Sequence, residues 1–233
     1  MKICVFAYNF KHKRTQDVLM QLVFNSIKVH SVFAANKIKL NFYKSKERVT
    51  TNNLIFNHPR DISKSINAKY FVLKHDSNEL LKILKKEKFD LGIIAGSRII
   101  KNKIINQFKI GILNMHPGLL PLNRGLDSHK RAIFYNWAQG VTCHLINSKI
   151  DLGKYICYKK INVFEDDTLV DINTRLQNME LNLMIKSLNI LKKKKKLRVL
   201  KDKNKAQTSI SNGKEKIMMK KFKLYKKNYK KLK

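Results

Sequence analysis

The 233-residue sequence predicts an α/β fold, a mostly parallel twisted sheet with helices on both faces. Three observations carry that expectation. Short apolar runs of strand length, such as Lys2 to Ala7 and Asp90 to Ala95, alternate with longer segments in which apolar residues recur at helical spacing. The alternation persists from the N-terminus to about residue 191, which right-handed crossovers convert into neighbouring parallel strands. The length suits one substantial domain plus an appendage and is too short for two large domains.

Taken in order, Lys2 to Ala7 reads as a buried first strand, and Val18 to Phe24 continues a helix that starts near Thr15, a potential N-cap. A second strand spans about Val29 to Ala34. The polar stretch from Asn36 to Ile66 shows neither period. Tyr70 to Leu73 is a short strand, and Ser77 caps a helix that runs to about Lys86 with Glu79 in its first turn. Asp90 to Ala95 forms a buried strand that ends at Gly96; a short helix near Lys101 to Asn106 then leads into a strand from Ile110 to Asn114. A helix from about Ser128 to Trp137 follows, with hairpin-like strands over 141 to 147 and 154 to 163. A long helix from about Thr168 to Leu191 closes the pattern, with Leu169, Ile172, Leu176, Met179, Leu183 and Ile190 on one core-facing stripe and Asp166 or Asp167 as its cap.

The formal net charge of +34 invites a nucleic-acid reading, because basic surfaces bind polyanions through counterion release. Its details point elsewhere. Of the 50 basic residues eight are arginine, and lysine, asparagine and isoleucine, all abundant here, share A/T-rich codons. The charge is also uneven: from Lys192 onward 18 lysines and Arg198 meet only Asp202 and Glu215, a net of +17. Residues 192–233 therefore read as a lysine-rich C-terminal extension to a domain over 1–191. Phe222, Leu224, Tyr225, Tyr229 and Leu232 interleave with its lysines, so it is either a partly disordered basic segment or an amphipathic appendage against the core or an anionic surface. Only Cys4, Cys143 and Cys157 are present, which argues against a disulfide framework or zinc site and for a reducing cytosol. No apolar run is long enough for a signal peptide or a bilayer span, so the expectation is a soluble, cytoplasmic protein.

The most informative stretch is Asn114-Met115-His116-Pro117-Gly118-Leu119-Leu120-Pro121, followed by Arg124-Gly125 and later by Asp151-Leu152-Gly153. Each residue has a plain structural reading. Asn114 can cap a turn, His116 can be a satisfied strand-end histidine and Asp151 can close a tight turn. Their joint occurrence, an amide, an imidazole and a carboxylate near strand ends, equips a site to polarise a carbonyl, stabilise an oxyanion and move a proton. Gly96, Asn114 and His116 all fall at the carboxyl ends of expected strands, where sheets of this kind bind ligands.

The blocks NMHPGLLPLNRG (114 to 125), GVTCHLI (140 to 146) and DLG (151 to 153) occur in an order and spacing that resembles the folate-dependent formyltransferases. The resemblance implies their Rossmann-like formyltransferase fold over residues 1 to about 191. It also implies formyl transfer from 10-formyltetrahydrofolate as cosubstrate, without a metal, to a small-molecule amine. Asn114 and His116 would face the oxyanion, and Asp151 would orient His116 and take up the proton. The folate would lie against Ser97, Arg98 and Ile99 and against the loop that carries Asn147 and Ile150. His144 reads first as a packed strand histidine and second as an accessory residue.

The amine is less directly legible. The resemblance includes glycinamide ribonucleotide formyltransferases, in which a glycine-rich loop after the first strand holds a phosphate; Ala7 to Arg14 here has no glycine. Lys11, Lys13 and Arg14 can replace it with side-chain cations, or be a solvated cluster. The extension is too short for the C-terminal domain of methionyl-tRNA formyltransferases. An amino sugar on a nucleotide carrier is the substrate expectation. The purine-pathway amine, hydrolysis of the formyl-folate, and an inactive core acting as a basic RNA-binding protein remain the alternatives.

Overall fold

The computed structural model describes residues 1–39, 47, 56–194 and 196–232. They build one eight-stranded sheet in the order β3-β2-β1-β4-β5-β6-β7-β8. The strands are β1 (Ile3–Tyr8), β2 (Val29–Ala35), β3 (Lys69–Val72), β4 (Leu91–Ile94), β5 (Gly111–His116), β6 (Gly140–Ile146), β7 (Gly153–Lys160) and β8 (Val199–Leu200). From β3 to β5 every pairing is parallel; β5 to β8 pair antiparallel. The short connection from β6 to β7 suits an antiparallel pair, whereas β5 and β6 pair antiparallel although a helix, α5 (Ser128–Phe134), lies between them in the chain.

Strand periodicity divides the core into two layers. Ile3, Val5 and Ala7 point to the face covered by α1 (Lys13–Phe24) and α6 (Leu169–Lys192), meeting Val18, Leu19, Leu22, Leu176 and Leu183. Cys4 and Phe6 point to the opposite face, where α3 (Asn78–Glu87) and α4 (Asn102–Ile105) supply Leu80, Leu84, Ile104 and Ile105. Both faces of β1 are therefore buried, and its sequence is correspondingly apolar throughout. All three cysteines are free and buried.

Several expectations about helix ends are corrected. Helix α1 begins at Lys13 after His12, and Thr15 lies inside its first turn, buried, with Oγ1 2.9 Å from His12 Nδ1. Neither Asp166 nor Asp167 caps α6. Thr168 takes the extended cap conformation and forms a reciprocal capping box with Asp171, while Asp167 binds Arg175 at 2.7 and 2.8 Å. Within the stretch that showed no period, α2 (Pro59–Ser65) starts after His58 with proline in the first helical position. Within the same stretch, residues 40–46 and 48–55 lie outside the described residues. Helix α5 is shorter than expected, Ser128–Phe134.

The lysine-rich extension is packed against the core. Its β8 pairs with β7, and α7 (Asn212–Asn228) lies along α5. Met218, Phe222, Tyr225 and Tyr229 are buried in the same cluster as α6. The polar anchors are equally specific. Lys130 and Glu215 form a buried ion pair, Tyr225 Oη donates to the Trp137 carbonyl at 2.8 Å, and Tyr229 Oη bridges Gln139 N and the Ile161 carbonyl at 2.7 and 2.9 Å. The change in composition near residue 191 is thus not accompanied by a gap in packing.

Candidate active site

The carboxyl end of β5 delivers Asn114 and His116 two residues apart, so both side chains leave the same face of the sheet. The adjacent β6 places His144 directly opposite Asn114 and Thr142 opposite His116. After β6, the loop 147–152 returns toward the sheet and carries Asp151 with φ 50°, a left-handed conformation that aspartate tolerates better than most residues. Asp151 Oδ1 reaches within 3.4 Å of His116 Nδ1. The three expected catalytic residues therefore meet around one point.

Each of them is held from behind. His144 is buried, with Nδ1 3.2 Å from the Leu152 carbonyl, which can only accept; its proton therefore sits on Nδ1 and Nε2 accepts from Asn114 Nδ2 at 3.2 Å. Burial first, then the neighbouring His116, holds the His144 imidazole down to about 4, against the pull of Asp151. A neutral His144 fixes which end of the Asn114 amide is nitrogen. His116 is fixed at its other edge: Nε2 lies 2.7 Å from the Asn123 carbonyl and 3.3 Å from Ser128 Oγ. The loop between them must pass very close, and a Cβ at Gly118 would come within 2.8 Å of Nε2 and 2.7 Å of the Asn123 carbonyl. Asp151 is held through its second oxygen, Oδ2, which accepts from Gly125 N at 2.8 Å.

The expected folate contacts flank this cluster. Ser97 accepts from Tyr8 Oη through its carbonyl at 2.9 Å, and Arg98 lies over the Tyr8 ring at 5.6 Å. Ile99 and Ile150 leave 68% and 48% of their surface in solvent, and Leu122 and Leu126 of the β5–α5 loop are also exposed. Four apolar side chains on loops at these strand ends are the kind of surface a planar aromatic ligand covers, so the residues present fit a folate. Asn147 Oδ1 accepts from Lys149 N at 2.9 Å, which shapes the loop before Asp151.

The expected substrate cations are not equivalent. Lys11 is exposed. Lys13 pairs with Asp17 one helical turn on, at 2.5 Å. Arg14 turns inward, donating to the Met115 carbonyl at 2.5 Å and lying 3.3 Å from Glu180 Oε1, a charge contact without hydrogen-bond alignment. Met115 stands between Asn114 and His116, so Arg14 supports the backbone of the expected catalytic pair. Glu180, buried on α6, is pushed up to about 7 by burial, with Arg14 and Lys13 opposing. Asn123, Ser128, Glu180 and the support role of His144 have no signal in residue spacing, because each depends on which elements become neighbours.

Residues 1–188 match the family model described as formyl transferase. A methionyl-tRNA formyltransferase from Fusobacterium nucleatum is 25% identical over 157 residues, covering 66% of this chain and 46% of the relative. A phosphoribosylglycinamide formyltransferase from Haemophilus influenzae is 32% identical over 96 residues, 40% of this chain and 45% of the relative. The chain thus spans about half the length of the curated relatives it matches. Among solved structures, a sugar N-formyltransferase from Shewanella superposes with a TM-score of 0.62 at 18% identity, over 95% of this chain and 87% of that one. With the motif residues gathered at the strand ends and the family model matched from Met1 through Leu188, the chain belongs to the formyl transferase family.

Proposed function

We propose that the protein transfers a formyl group from 10-formyltetrahydrofolate to a primary amine, with Asn114, His116 and Asp151 as its catalytic residues. The observation that carries this reading is the meeting of an amide that commits one proton to His144, an imidazole anchored through Nε2, and a carboxylate at the Nδ1 edge of that ring. When bound, the formyl donor supplies an electrophilic carbonyl whose oxygen gains negative charge as an amine attacks. Asn114 spends one Nδ2 proton on His144 and keeps the second for that oxygen. His116 donates from Nε2 to the Asn123 carbonyl, so Nδ1 carries a proton only when the ring is an imidazolium; in that form, held beside the Asp151 carboxylate, it offers the Nδ1 proton to the oxyanion. Asp151 accepts, directly or through one water, the proton that the attacking nitrogen sheds; collapse of the tetrahedral adduct then breaks the bond from the formyl carbon to the folate nitrogen, which takes up that proton and leaves as tetrahydrofolate.

For the amine, we favour an amino sugar on a nucleotide carrier. The support is the loop from Ala7 to Arg14, which lacks the glycines of a backbone phosphate cradle and offers exposed Lys11 at the start of α1 instead. The pterin would lie between the Ser97–Ile99 backbone and the loop carrying Asn147 and Ile150. Incubation of 10-formyltetrahydrofolate with nucleotide amino sugars, glycinamide ribonucleotide or no amine, following tetrahydrofolate release and the N-formyl product by mass, tests this directly. Faster formylation of glycinamide ribonucleotide overturns the substrate assignment. Release without any formylated product assigns hydrolysis.

A further inference from the structure

The segment from Asp202 to Ile210, between β8 and α7, has no counterpart in the catalytic motif, yet it lies against the turn that holds Asp151. The Arg124 guanidinium is buried, and it joins two sides of that turn. Nε and Nη2 donate to the Ile150 carbonyl at 3.0 and 2.8 Å, while Nη1 donates to Asp202 Oδ2 at 2.9 Å and to the Asn204 carbonyl at 2.8 Å. The backbone continues the contact: Gln207 N donates to the Arg124 carbonyl at 3.1 Å and Leu126 N to the Gln207 carbonyl at 3.0 Å. Gly125, between them, has φ +96°, and a Cβ there would fall 2.0 Å from the Gln207 carbonyl, so only glycine permits this approach. Further along, Ile210 N donates to Asp127 Oδ2 at 2.8 Å, and Arg131 reaches the Thr208 carbonyl.

Arg124 and Gly125 both grip the Asp151 loop. Arg124 binds the carbonyl of Ile150, immediately before Asp151, and Gly125 N–H binds Asp151 Oδ2, leaving Oδ1 toward His116. Both grips lose their backing without the C-terminal segment. From the core side the same turn is held by Ser128 Oγ on the Gly125 carbonyl at 3.2 Å and by Arg131 Nε on the Leu126 carbonyl at 3.0 Å, so the strap supplies its second wall; a shift of an ångström in a catalytic group costs on the order of a hundredfold in rate.

We propose that residues 202–210 are a strap that positions the general base, with Asp202 a positioning residue acting through Arg124 on Asp151. This rests on the reading of Asp151 as the proton acceptor. It assigns the lysine-rich extension a part in the chemistry that its composition does not suggest. It also predicts that the strap affects the rate of formyl transfer more than the affinity for either substrate, because its contacts end on the loop backbone and on the carboxylate oxygen that faces away from His116.

The test uses full-length Asp202→Ala and Asp202→Asn, with Glu215→Gln as a comparison that loosens α7 at its buried partner Lys130 without touching the strap. Asp202→Ala should lower kcat at least tenfold with KM for both substrates within twofold, and Asp202→Asn, which keeps an acceptor for Arg124, should restore part of the loss. Glu215→Gln should lower thermal stability and leave kcat within twofold. Hydrogen exchange at the Gly125 amide, measured in parallel, should quicken in Asp202→Ala and stay near wild type in Glu215→Gln. Faster exchange with unchanged kcat overturns the strap, as does an equal loss of kcat in Asp202→Ala and Glu215→Gln. If the wild-type protein turns over no amine, the formyl-transfer reading fails on its own account; the tether is then judged by exchange, and an unaltered Gly125 amide in Asp202→Ala overturns it.

Discussion

Asn114 and His144 face each other across the β5–β6 ladder as a register pair, with Asn114 Nδ2 3.2 Å from an unprotonated His144 Nε2. The strand histidine thereby aims the amide next to it. Replacing His144 with leucine keeps the buried position filled but leaves the Asn114 amide free to rotate. Turnover should fall about tenfold, the equivalent of about 1.4 kcal/mol, with little change in folate affinity. Steady-state kinetics beside equilibrium folate binding would decide it; an unchanged kcat would return His144 to a packing role alone.

Asp151→Asn isolates the carboxylate charge, since asparagine tolerates the left-handed φ of 50° and can still accept from Gly125 N–H. Turnover should be almost abolished while folate binding stays largely intact. Asn114→Ala and His116→Ala should each be severe, at about 2.7 to 4 kcal/mol for a lost oxyanion donor. The double variant should fall well short of the product of the two, because both act on one oxygen. Fully multiplicative losses would place the two residues in separate steps.

The cations near the start of α1 should separate by function. Lys11→Gln should raise KM for a phosphorylated amine more than for the formyl donor, because Lys11 is exposed on the loop where a substrate phosphate would arrive. Arg14→Met should instead lower kcat, by releasing the Met115 carbonyl between the two oxyanion donors and leaving Glu180 buried without its partner. Kinetics with both substrates varied in turn would distinguish the two patterns. A Lys11 variant indistinguishable from wild type would make the loop an ordinary solvated surface.

Stability should depend on pH through buried groups of opposite sign. Burial, with Lys130 adding to it, holds His129 down to about 4, and His144 is held there too. Their folded values lie below the unfolded 6.5, so the stability they contribute is present above pH 6.5 and lost as pH falls toward 4. Glu180, raised from 4.5 to about 7, contributes stability that is present below pH 4.5 and lost as pH rises through 7. Thermal melts from pH 4.5 to 8 should therefore show a shallower decline toward acid in His129→Leu and a smaller loss between pH 4.5 and 7 in Glu180→Gln. Parallel curves for wild type and both variants would mean that these groups titrate alike in the folded and unfolded chain.

Much of this protein is decided by local sequence. The apolar runs and helical stripes are enough for the α/β class, because burial on one or both faces imposes periods of 2 or 3.6 on whatever sequence is used. Asn114, His116 and Asp151 are singled out through the resemblance of their blocks to the formyltransferases, and the structure places two of them on one strand and the third in the loop after the next strand. Even Pro59 at the start of α2 was a readable signal within a stretch of mixed polarity. At the cap of α6 the sequence reading of Asp166 or Asp167 fails, although the Thr168-to-Asp171 spacing carries a capping-box signal.

Tertiary structure decided what no spacing encodes. The lysine content of residues 192–233 resembles that of a solvated tail, yet three apolar residues of α7, with Tyr229 just beyond its end and a buried Lys130–Glu215 pair, dock it on the core. Arg14 sits among loop lysines in the sequence but lies beneath the backbone of β5, because α1 packs on the face of the sheet that α6 shares. His144 gains its partner only when β6 runs antiparallel beside β5, and Asp202 meets Arg124 only when the chain returns 78 residues later. The physical reason is common to all four. Hydrophobic burial is non-directional and is written in local patterns, whereas a buried charge or amide must find a particular partner, and the position of that partner is a property of the assembled fold.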